Sequence, residues 1–244
     1  MSHIRVERHV SVISTQTVAT AHVSAGERRV DAVQADFQTD GRGRWGKHWE
    51  SCECENLLIT FLLWDIPVPE PPWELGLIMA LAVCEVVEER LVELGLSTYP
   101  KLRWPNDILI EDKKVAGLLL ELPEAPTQGK VPIIGVGLNV NQTIFTPPLN
   151  DSATSIKRLS NSDSSISEFA SNIWDRFHNL YPLLISNPIA LATLWRTRDA
   201  TKGKFYRSHD GRSGIAQGIR DDGCLVIRWP DNSESALPAA EAVI

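Results

Sequence analysis

The sequence lacks long hydrophobic runs, and none of its apolar stretches approaches the roughly 18 continuous residues that a membrane helix requires. Residues 1–12 carry Arg5, Glu7 and Arg8 where a signal peptide would need an apolar segment. Both absences argue against a membrane protein and against a secreted one. We therefore predict a cytoplasmic protein with no membrane partner.

Cysteine is scarce, with four residues in 244. Cys52 and Cys54 are close in sequence, whereas Cys84 and Cys224 stand alone. A structural zinc site normally needs a second pair of ligands at similar spacing, and no such pair accompanies Cys52 and Cys54. We predict free thiols and no metal-ligating residues, with zinc binding at Cys52 and Cys54 as the alternative.

Positively charged residues are also few. The chain contains 24 Lys and Arg residues and 31 Asp and Glu residues, which gives a formal net charge of −7. Binding to DNA or RNA gains its affinity from a basic surface that displaces counterions from the phosphates. We therefore predict no nucleic-acid partner. Apolar residues make up 43% of the chain and charged residues 23%, as is usual for a folded globular protein.

The first half of the chain alternates between strand and helix patterns. We predict strands at residues 5–13, 29–38 and 56–64, with a first helix capped by Ser14 or Thr15 and running towards Ser24. A proline-rich connector precedes a long helix over residues 75–91, in which apolar residues recur at helical spacing and which Gly95 ends. Two apolar runs around residues 111–113 predict a hairpin, and residues 131–140 predict another buried strand.

The second half of the chain predicts a loop, two helices and then a series of short strands. Residues 150–167 are rich in Ser, Asn and Asp, so we predict that this segment is mostly loop, followed by helices at residues 166–185 and 189–198. From Thr201 the pattern changes to short strands separated by turns at residues 209–211 and 221–223. We predict a main domain over residues 1–198 and a small β domain over residues 199–244 that packs against it.

Glycine and positive charge are concentrated in residues 38–49, which we call the glycine loop. Three glycines (Gly41, Gly43, Gly46) give the backbone freedom to approach a ligand, and three cations (Arg42, Arg44, Lys47) can bind phosphate or carboxylate oxygens. The loop lies between two predicted strands. It is typical of an anion-binding loop, although a solvated turn or a nucleic-acid contact fits the same composition.

Other polar groups lie near predicted strand ends. They are Ser14-Thr15, Asn106-Asp107 with Lys114, and Asn139. Ligands gather at such ends in sheets flanked by helices. Two plainer interpretations stay open here, namely that Asn106 and Asp107 are ordinary turn residues and that Lys114 continues the solvated turn begun by Lys113.

The order of these motifs resembles that of biotin protein ligases, and the resemblance covers essentially the whole chain. It lies in Ser14-Thr15, in Gln38 followed by Gly41-Arg42-Gly43-Arg44 and Trp49, in Trp104-Pro105-Asn106-Asp107, in Lys113-Lys114-Val115-Ala116-Gly117, and in Gly135-Val136-Gly137-Leu138-Asn139-Val140. The resemblance implies an α+β fold, with a mixed β-sheet catalytic domain of the biotin/lipoate protein ligase type, helices packed on it, and a small C-terminal SH3-like β-barrel.

The resemblance also implies a two-step reaction, in which biotin and MgATP form biotinyl-5'-AMP and biotin then passes to a lysine of a biotin carboxyl carrier protein of a biotin-dependent carboxylase. The implied catalytic residues are Arg42, Arg44, Lys114 and Asp107. Implied biotin contacts are Ser14, Thr15, Gln16, Gln38, Arg42, Gly43, Arg44, Lys114 and Gly117. Implied contacts to ATP or the adenylate are Trp49, Asn106, Asp107, Lys114, Gly137 and Asn139. Asp107 has two possible roles, in holding Mg²⁺ or in orienting the acceptor amine.

Several positions depart from the family pattern: Gln16 replaces asparagine, Asp40 replaces a small residue, Arg103 replaces lysine, and residues 52–55 replace a turn with Gly and Pro. We expect Asp40 to pair with the loop arginines in the empty site. The 13 residues before Ser14 leave no room for a DNA-binding domain, so we expect a monofunctional ligase, as a monomer or weak homodimer. The alternatives are a non-catalytic biotin or nucleotide binder, and a lipoate or octanoate ligase on the related fold.

Overall fold

The structure is a computed structural model that describes residues 4–208 and 211–239. Within these ranges the strands are β1 Val6–Val12, β2 Ala32–Gln38, β3 Gly41–Arg42, β4 His48–Trp49, β5 Asn56–Leu62, β6 Lys101–Arg103, β7 Asp107–Ile110, β8 Lys113–Glu121, β9 Glu124–Ala125, β10 Gly129–Lys130, β11 Ile133–Asn139, β12 Phe205–Arg207, β13 Ser213–Ile219, β14 Leu225–Arg228 and β15 Glu234–Leu237. The α-helices are α1 Thr15–Ala25, α2 Glu74–Glu93, α3 Leu149–Ser152, α4 Ile156–Ser160, α5 Ile166–Ser186 and α6 Pro188–Thr197.

Seven strands form the main sheet in the order β1-β2-β5-β11-β8-β7-β6. β1 runs parallel to β2, whereas every other neighbouring pair is antiparallel. The predicted α+β class with a mixed sheet is confirmed. The three apolar strands β5, β11 and β8 lie in the middle of the sheet, as strands buried on both faces should.

One face of the sheet carries the main hydrophobic core. Alternation along β5 directs Leu57, Ile59 and Phe61 to this face, where α5 packs over β5 and α2 packs over β6, β7 and β8. The helix α2 is buried along most of its length, which explains why its sequence is apolar on nearly all sides. Each aliphatic side chain fully buried here contributes about 1.5–3 kcal/mol relative to an exposed one.

The opposite face is only partly covered. The helix α1 packs over one end of it, where Ala19 and Val23 meet Val33 and Leu62 in a second, smaller core. Beyond α1 the face is left open where β11 carries glycines instead of large side chains. This uncovered part of the sheet is the position of the site described below.

The four strands β12 to β15 form a separate antiparallel sheet at the C-terminal end, which confirms the predicted small β unit. The turn that ends with Gly223 lies against α2, because a Cβ at Gly223 would come within 2.5 Å of Leu77 Cδ1. Trp73 Nε1 also donates to the carbonyl oxygen of Asp222 at 3.3 Å. The backbone of Leu102 in β6 forms hydrogen bonds with Arg198 and Ala200. The domain boundary at residue 198 stays a prediction.

The predicted loop over residues 150–167 is wrong in part, since this segment contains α3 and α4. Ser155 caps α4 by accepting from the amide of Arg158 at 3.0 Å, and Asn161 ends it in the left-handed region at φ 56°. Helices of four and five residues are too short to show periodicity. Of the predicted turn at residues 209–211, His209 and Asp210 lie outside the described residues.

The hairpin predicted around residues 111–113 is confirmed. Glu111 and Asp112 form a two-residue turn between β7 and β8, and both have positive φ, at 51° and 61°.

In the part of the chain that the structure covers, no helix has both the length and the apolar character needed to span a bilayer.

Candidate active site

A cavity of about 250 Å³ opens on the uncovered face of the main sheet. All the site residues predicted from sequence line it: Ser14, Thr15, Gln16, Gln38, Arg42, Gly43, Arg44, Trp49, Asn106, Asp107, Lys114, Gly117, Gly137 and Asn139. The expectation that they gather at strand ends is only partly right. Gly117 and Gly137 are mid-strand register partners on β8 and β11, so the floor of the cavity is the face of the sheet itself.

A buried polar network lies at one end of the cavity. Ser14 caps α1, and this places the Thr15 backbone and side chain against Gln38, whose Oε1 accepts from Thr15 N at 2.8 Å and from Oγ1 at 3.1 Å. The Oγ1 atoms of Thr15 and Thr60 lie 2.9 Å apart, and Thr60 Oγ1 donates to Gln16 Oε1 at 3.1 Å. Amides and hydroxyls thus surround a site that can recognise a polar head group.

Gln16 extends across the floor at this end. Its Nε2 donates to the carbonyl oxygen of Leu119 on β8 at 3.3 Å. A Cβ at Gly135 of β11 would lie 2.7 Å from Gln16 Oε1, so the strand must carry glycine beneath this side chain. Gln16, at a position where the resemblance implies asparagine, is thereby accommodated with both ends of its amide group hydrogen-bonded.

The glycine loop folds into a small hairpin of β3 and β4 over the cavity, with Gly41 opposite Trp49. Its tip is a short 3₁₀ turn in which Trp45 and Gly46 have positive φ, at 58° and 71°. A Cβ at Gly41 would meet the carbonyl oxygen of Trp49 at 2.6 Å, which explains the glycine there. The segment is therefore an ordered flap in this structure.

The loop cations bind different partners from those expected. Arg42 Nη2 bonds to Glu121 Oε1 at 2.6 Å, and Arg44 Nη2 donates to the carbonyl oxygen of Ala239 at 2.6 Å. Asp40 pairs with His48 at 3.3 Å, so the predicted pairing of Asp40 with the arginines is wrong. The cause is the hairpin register, which places His48 opposite Arg42 and close to residue 40.

A compact charge cluster lies at the start of β7. Asp107 is buried, and its two oxygens contact Lys114 Nζ at 2.6 Å and Arg103 Nη2 at 2.5 Å. Burial alone would raise the pKa of the Asp107 carboxyl, but Lys114 and Arg103 outweigh that effect and hold this pKa below its usual range. Asp107 is therefore a carboxylate at neutral pH. Arg103, the departure from lysine, is part of this cluster.

Two asparagines hold the backbone around this cluster. Asn106 Nδ2 donates to the carbonyl oxygen of Leu118 at 2.7 Å, which ties the turn before β7 to β8. Asn139 Nδ2 donates to the carbonyl oxygen of Thr154 at 3.0 Å, and the Thr154 amide in turn donates to the Lys114 carbonyl at 2.9 Å. Both side chains thus position segments that border the cavity.

Trp49 lies on the floor. A Cβ at Gly137 would be 2.4 Å from its Cε2 atom and a Cβ at Gly117 would be 2.9 Å from its Cζ3 atom, so the indole occupies the space above both glycines. Lys114 Nζ lies 5.2 Å from the centre of the indole ring, within the range of a cation–π contact. The indole Nε1 is buried and has no hydrogen-bond partner among the described residues.

Some lining residues were not predicted from sequence: Trp45, Glu50, Thr60, Gly135, Phe145, Leu149 and Ala153. Thr60 had a recognisable signal, because it is the one polar residue inside the apolar run of β5. Phe145, Leu149 and Ala153 had none, because they reach the cavity through the path of residues 140–155.

The sequence model of the biotin/lipoate A/B protein ligase family matches residues 10–141. The chain belongs to that family. It is an enzyme of the biotin protein ligase type, as its similarity to the proteins below also indicates. The ligase is 32% identical over 244 aligned residues to the bifunctional ligase/repressor BirA of Bacillus spizizenii, with 93% of this chain and 71% of the relative covered.

A second relative is the biotin--[acetyl-CoA-carboxylase] ligase of Mycobacterium tuberculosis, which is 30% identical over 199 residues covering 79% of this chain and 71% of the relative. Among solved structures, the biotin protein ligase from Aquifex aeolicus in complex with biotin and ATP superposes with a TM-score of 0.79 at 25% identity. That match covers 98% of this chain and 97% of the other.

The four cysteines of the ligase are free thiols, as predicted. In residues 4–208 and 211–239, no group of three or more His, Cys, Asp or Glu side chains is arranged to hold a metal ion. The acidic side chains that line the cavity are Asp107 and Glu50. Because both oxygens of Asp107 already bind cations, the cavity offers no free set of oxygen ligands.

Proposed function

We propose that the ligase joins biotin to ATP to form biotinyl-5'-AMP with release of pyrophosphate, and then transfers biotin to a lysine of a biotin carboxyl carrier protein. The observation that supports this is the cavity itself, in which a neutral polar network at one end adjoins Lys114, Arg42 and Arg44. A neutral polar head group and an anionic reacting centre would therefore each meet matching chemistry.

The polar network is proposed to bind the biotin ring. Thr15 and Gln38 can exchange their mutual hydrogen bonds for bonds to the ureido group, and Gln16 can do the same with its bonds to Thr60 and Leu119. The net cost is small because each of the three side chains stays paired. Ser14 caps the helix that presents them. Gly117 lets the valeryl chain run close to the sheet towards the charged end.

At the charged end, a biotin carboxylate oxygen attacks the α-phosphorus of ATP and the bond to the β-phosphate oxygen breaks. Both reactants are anions, so the step requires positive charge close to both. Arg42, Arg44 and Lys114 are proposed to supply it, and Gly43 between the two arginines is proposed as a further contact to biotin. Burial lowers the pKa of Arg44 from its ordinary value, with Asp107 opposing this, yet an arginine keeps its charge at neutral pH.

The nucleotide is proposed to lie along Trp49, Asn106, Gly137 and Asn139, where the missing side chain of Gly137 allows close approach. Trp49 occupies this floor in the present structure, so binding would shift the indole or stack against it. The unpartnered Nε1 of Trp49 would then gain access to a ligand acceptor.

In the second step, the neutral amine of the acceptor lysine attacks the acyl carbon, the bond from that carbon to the phosphate oxygen breaks, AMP leaves, and the nitrogen releases a proton to water. The ionised Asp107 is proposed to accept a hydrogen bond from the incoming amine and so to orient it. Mg²⁺ does not fit this carboxylate, since it would have to displace Lys114 or Arg103, whereas a hydrogen bond can use a second lone pair on an oxygen that is already bound. We propose that Mg²⁺ arrives with ATP, held by phosphate oxygens and water.

The test is to incubate the ligase with labelled biotin, MgATP and a carrier domain, using the same domain with its acceptor Lys changed to Arg as the control. We expect label on the native carrier, none on the control, and isolable biotinyl-5'-AMP when the carrier is omitted. Binding of biotin without adenylate would point to the non-catalytic alternative, and preferred transfer of lipoate or octanoate would point to the related ligases.

We also propose that the ligase works in the cytoplasm as a monomer or weak homodimer, without nucleic acid, with residues 1–198 as its catalytic domain and residues 199–244 as a small SH3-like domain. The net charge of −7 supports the absence of nucleic acid. Light scattering across a range of protein concentrations would measure the mass, and a concentration-independent dimer would contradict this assembly.

A further inference from the structure

Two loops from distant parts of the sequence border the cavity. One is the glycine loop, which Glu50 follows directly, and the other is formed by residues 141–148, which we call the second loop. Trp49 of the glycine loop lines the cavity, and so does Phe145 of the second loop, which is 6% exposed. The two aromatic side chains therefore line the cavity from separate segments of the chain.

Glu50 joins these loops. Its Oε1 accepts from the backbone amide of Thr146 at 3.2 Å, and its Oε2 accepts a short hydrogen bond from Thr146 Oγ1. Both carboxylate oxygens thus bind a single residue that neighbours Phe145. A negatively charged acceptor with two donors is stronger than a pair of neutral hydrogen bonds.

The base and the tip of the second loop are held differently. At the base, the Asn141 amide donates to the carbonyl oxygen of Glu55 at 2.7 Å, and Asn56 Nδ2 donates to Gln142 Oε1 at 2.5 Å. At the tip, residues 144–146 bond within the loop and to its following helix, and in the described part of the chain their other hydrogen bonds go to Glu50. Glu50 therefore provides the hydrogen bonds that connect the tip of the second loop to the end of the glycine loop.

The glycine loop is tied on its other sides by Arg42 to Glu121 and by Arg44 to Ala239. Both arginines are proposed to turn to the ligand during the reaction, which would free their present partners. Glu50 lines the cavity, but its carboxylate binds Thr146 and none of the cations proposed to bind the ligand. This contact can persist while the site is occupied.

We propose that Glu50 is a positioning residue that keeps the glycine loop and the second loop together over the acyl-adenylate, so that the intermediate is retained and water is excluded. The inference rests on the proposed two-step reaction. It assigns Glu50 no contact with reacting atoms, because its effect passes through Thr146 to Phe145 and through the chain to Trp49.

The experiment measures release of preformed biotinyl-5'-AMP by rapid dilution, beside the single-turnover rate of its formation. We expect Glu50→Ala to release the adenylate about tenfold faster or more, because two bonds to a charged acceptor are lost. Thr146→Val keeps the backbone donor and removes the hydroxyl, so it should show a smaller increase. Thr146→Ser keeps both donors and should match the wild type.

Glu53→Ala is the matched control, because Glu53 is exposed, lies three residues from Glu50 and has no hydrogen bond or ion pair among the described residues. It should leave release unchanged. In the double variant Glu50→Ala with Thr146→Val, the second change should add little, since the partner is already gone. Hydrogen exchange should be faster at residues 144–146 in Glu50→Ala than in Glu53→Ala.

Equal release from Glu50→Ala and wild type would overturn the inference while leaving the proposed function in place. Equal acceleration in Glu53→Ala, or additive effects in the double variant, would also overturn it, because the cause would then be charge or general loosening. A wild-type protein that forms no adenylate at all would instead overturn the proposed function, and the inference with it.

Discussion

Gly117 and Gly137 face each other across β8 and β11, and the indole of Trp49 lies over both. This relationship explains why two central strands carry glycine at the same level of the sheet. Glycine weakens a strand interior, since it gives up packing and costs backbone entropy. The sheet accepts that cost where a flat surface must meet an aromatic side chain and, in the proposed reaction, a ligand.

Gly137→Ala should impair nucleotide binding and also lower the stability of the fold. The backbone of β11 accepts alanine, but the new Cβ would lie 2.4 Å from Trp49 Cε2 and would push the indole into the cavity. We expect the KM for ATP to rise about tenfold, with a loss of unfolding free energy of about 1–3 kcal/mol at most. Steady-state kinetics and urea unfolding measure the two effects.

Gly76→Ala is the control for this change, because no atom lies within 4 Å of the Cβ position there and the residue is inside α2. It should leave the kinetics unchanged and stabilise the helix by about 0.5–1 kcal/mol. In a Trp49→Ala background, Gly137→Ala should cost much less than in the wild type. A cost that stays the same would mean that Trp49 is not the clashing group.

These glycines also show what the sequence could and could not predict. The family resemblance implies that Gly117 and Gly137 belong to the site. The strands and helices around them can be predicted to within a few residues, because periodicity and capping are local properties. Glu50 and Phe145 were missed because their roles depend on where two loops meet in space. The pairing of Asp40 with His48 likewise depends on hairpin register, which the sequence of the loop does not specify.

Asp107→Asn should reduce stability in a pH-dependent way. The pKa of Asp107 is below its usual range in the folded protein, because Lys114 and Arg103 outweigh the effect of burial. A carboxyl with a depressed folded pKa contributes stability that is complete above its unfolded pKa of about 3.9 and is lost as pH falls through the folded pKa. The variant should lose about 3 kcal/mol at pH 7, since two cations lose their shared partner.

The measurement is the unfolding free energy of both proteins between pH 7 and pH 3. The difference between them should be constant down to about pH 5 and should shrink below about pH 4. Asp175→Asn serves as the control, because Asp175 has no hydrogen bond or ion pair among the described residues. A difference that grows on acidification would contradict the depressed pKa of Asp107.

Thr201→Val should weaken the connection between the C-terminal segment and the turn that carries Asp107. The buried amide of Trp104 donates to Thr201 Oγ1 at 2.7 Å, and Trp104 Nε1 donates to the carbonyl oxygen of Gly223 at 3.0 Å. Valine keeps the shape of threonine and leaves the amide unpaired, which costs about 1–3 kcal/mol. We expect slower adenylate formation as well, because Asn106 and Asp107 follow Trp104 directly.

Thr197→Val removes a hydroxyl that donates to the carbonyl oxygen of Leu194 at 2.7 Å on the exposed end of α6. It should change the unfolding free energy by no more than about 0.5 kcal/mol and leave the adenylation rate unchanged. Single-turnover kinetics and thermal unfolding compare the two variants. A Thr201→Val protein with native stability and a native rate would show that this contact does not position the turn.

Cys84 should be unreactive in the folded ligase. It is fully buried on α2, its Sγ contacts the carbonyl oxygen of Pro100 at 3.5 Å, and burial raises the pKa of its thiol to about 12. The thiolate is the reactive form of cysteine, and with this raised pKa almost none of it is present at pH 8.

Cys54, which is exposed, should be labelled first by a maleimide, and Cys84 only after unfolding in guanidinium. Mass spectrometry of the labelled peptides gives the order, and Cys54→Ser should remove the fastest phase. Labelling of native Cys84 at the rate of Cys54 would mean that α2 opens readily, in conflict with the core packing that surrounds it.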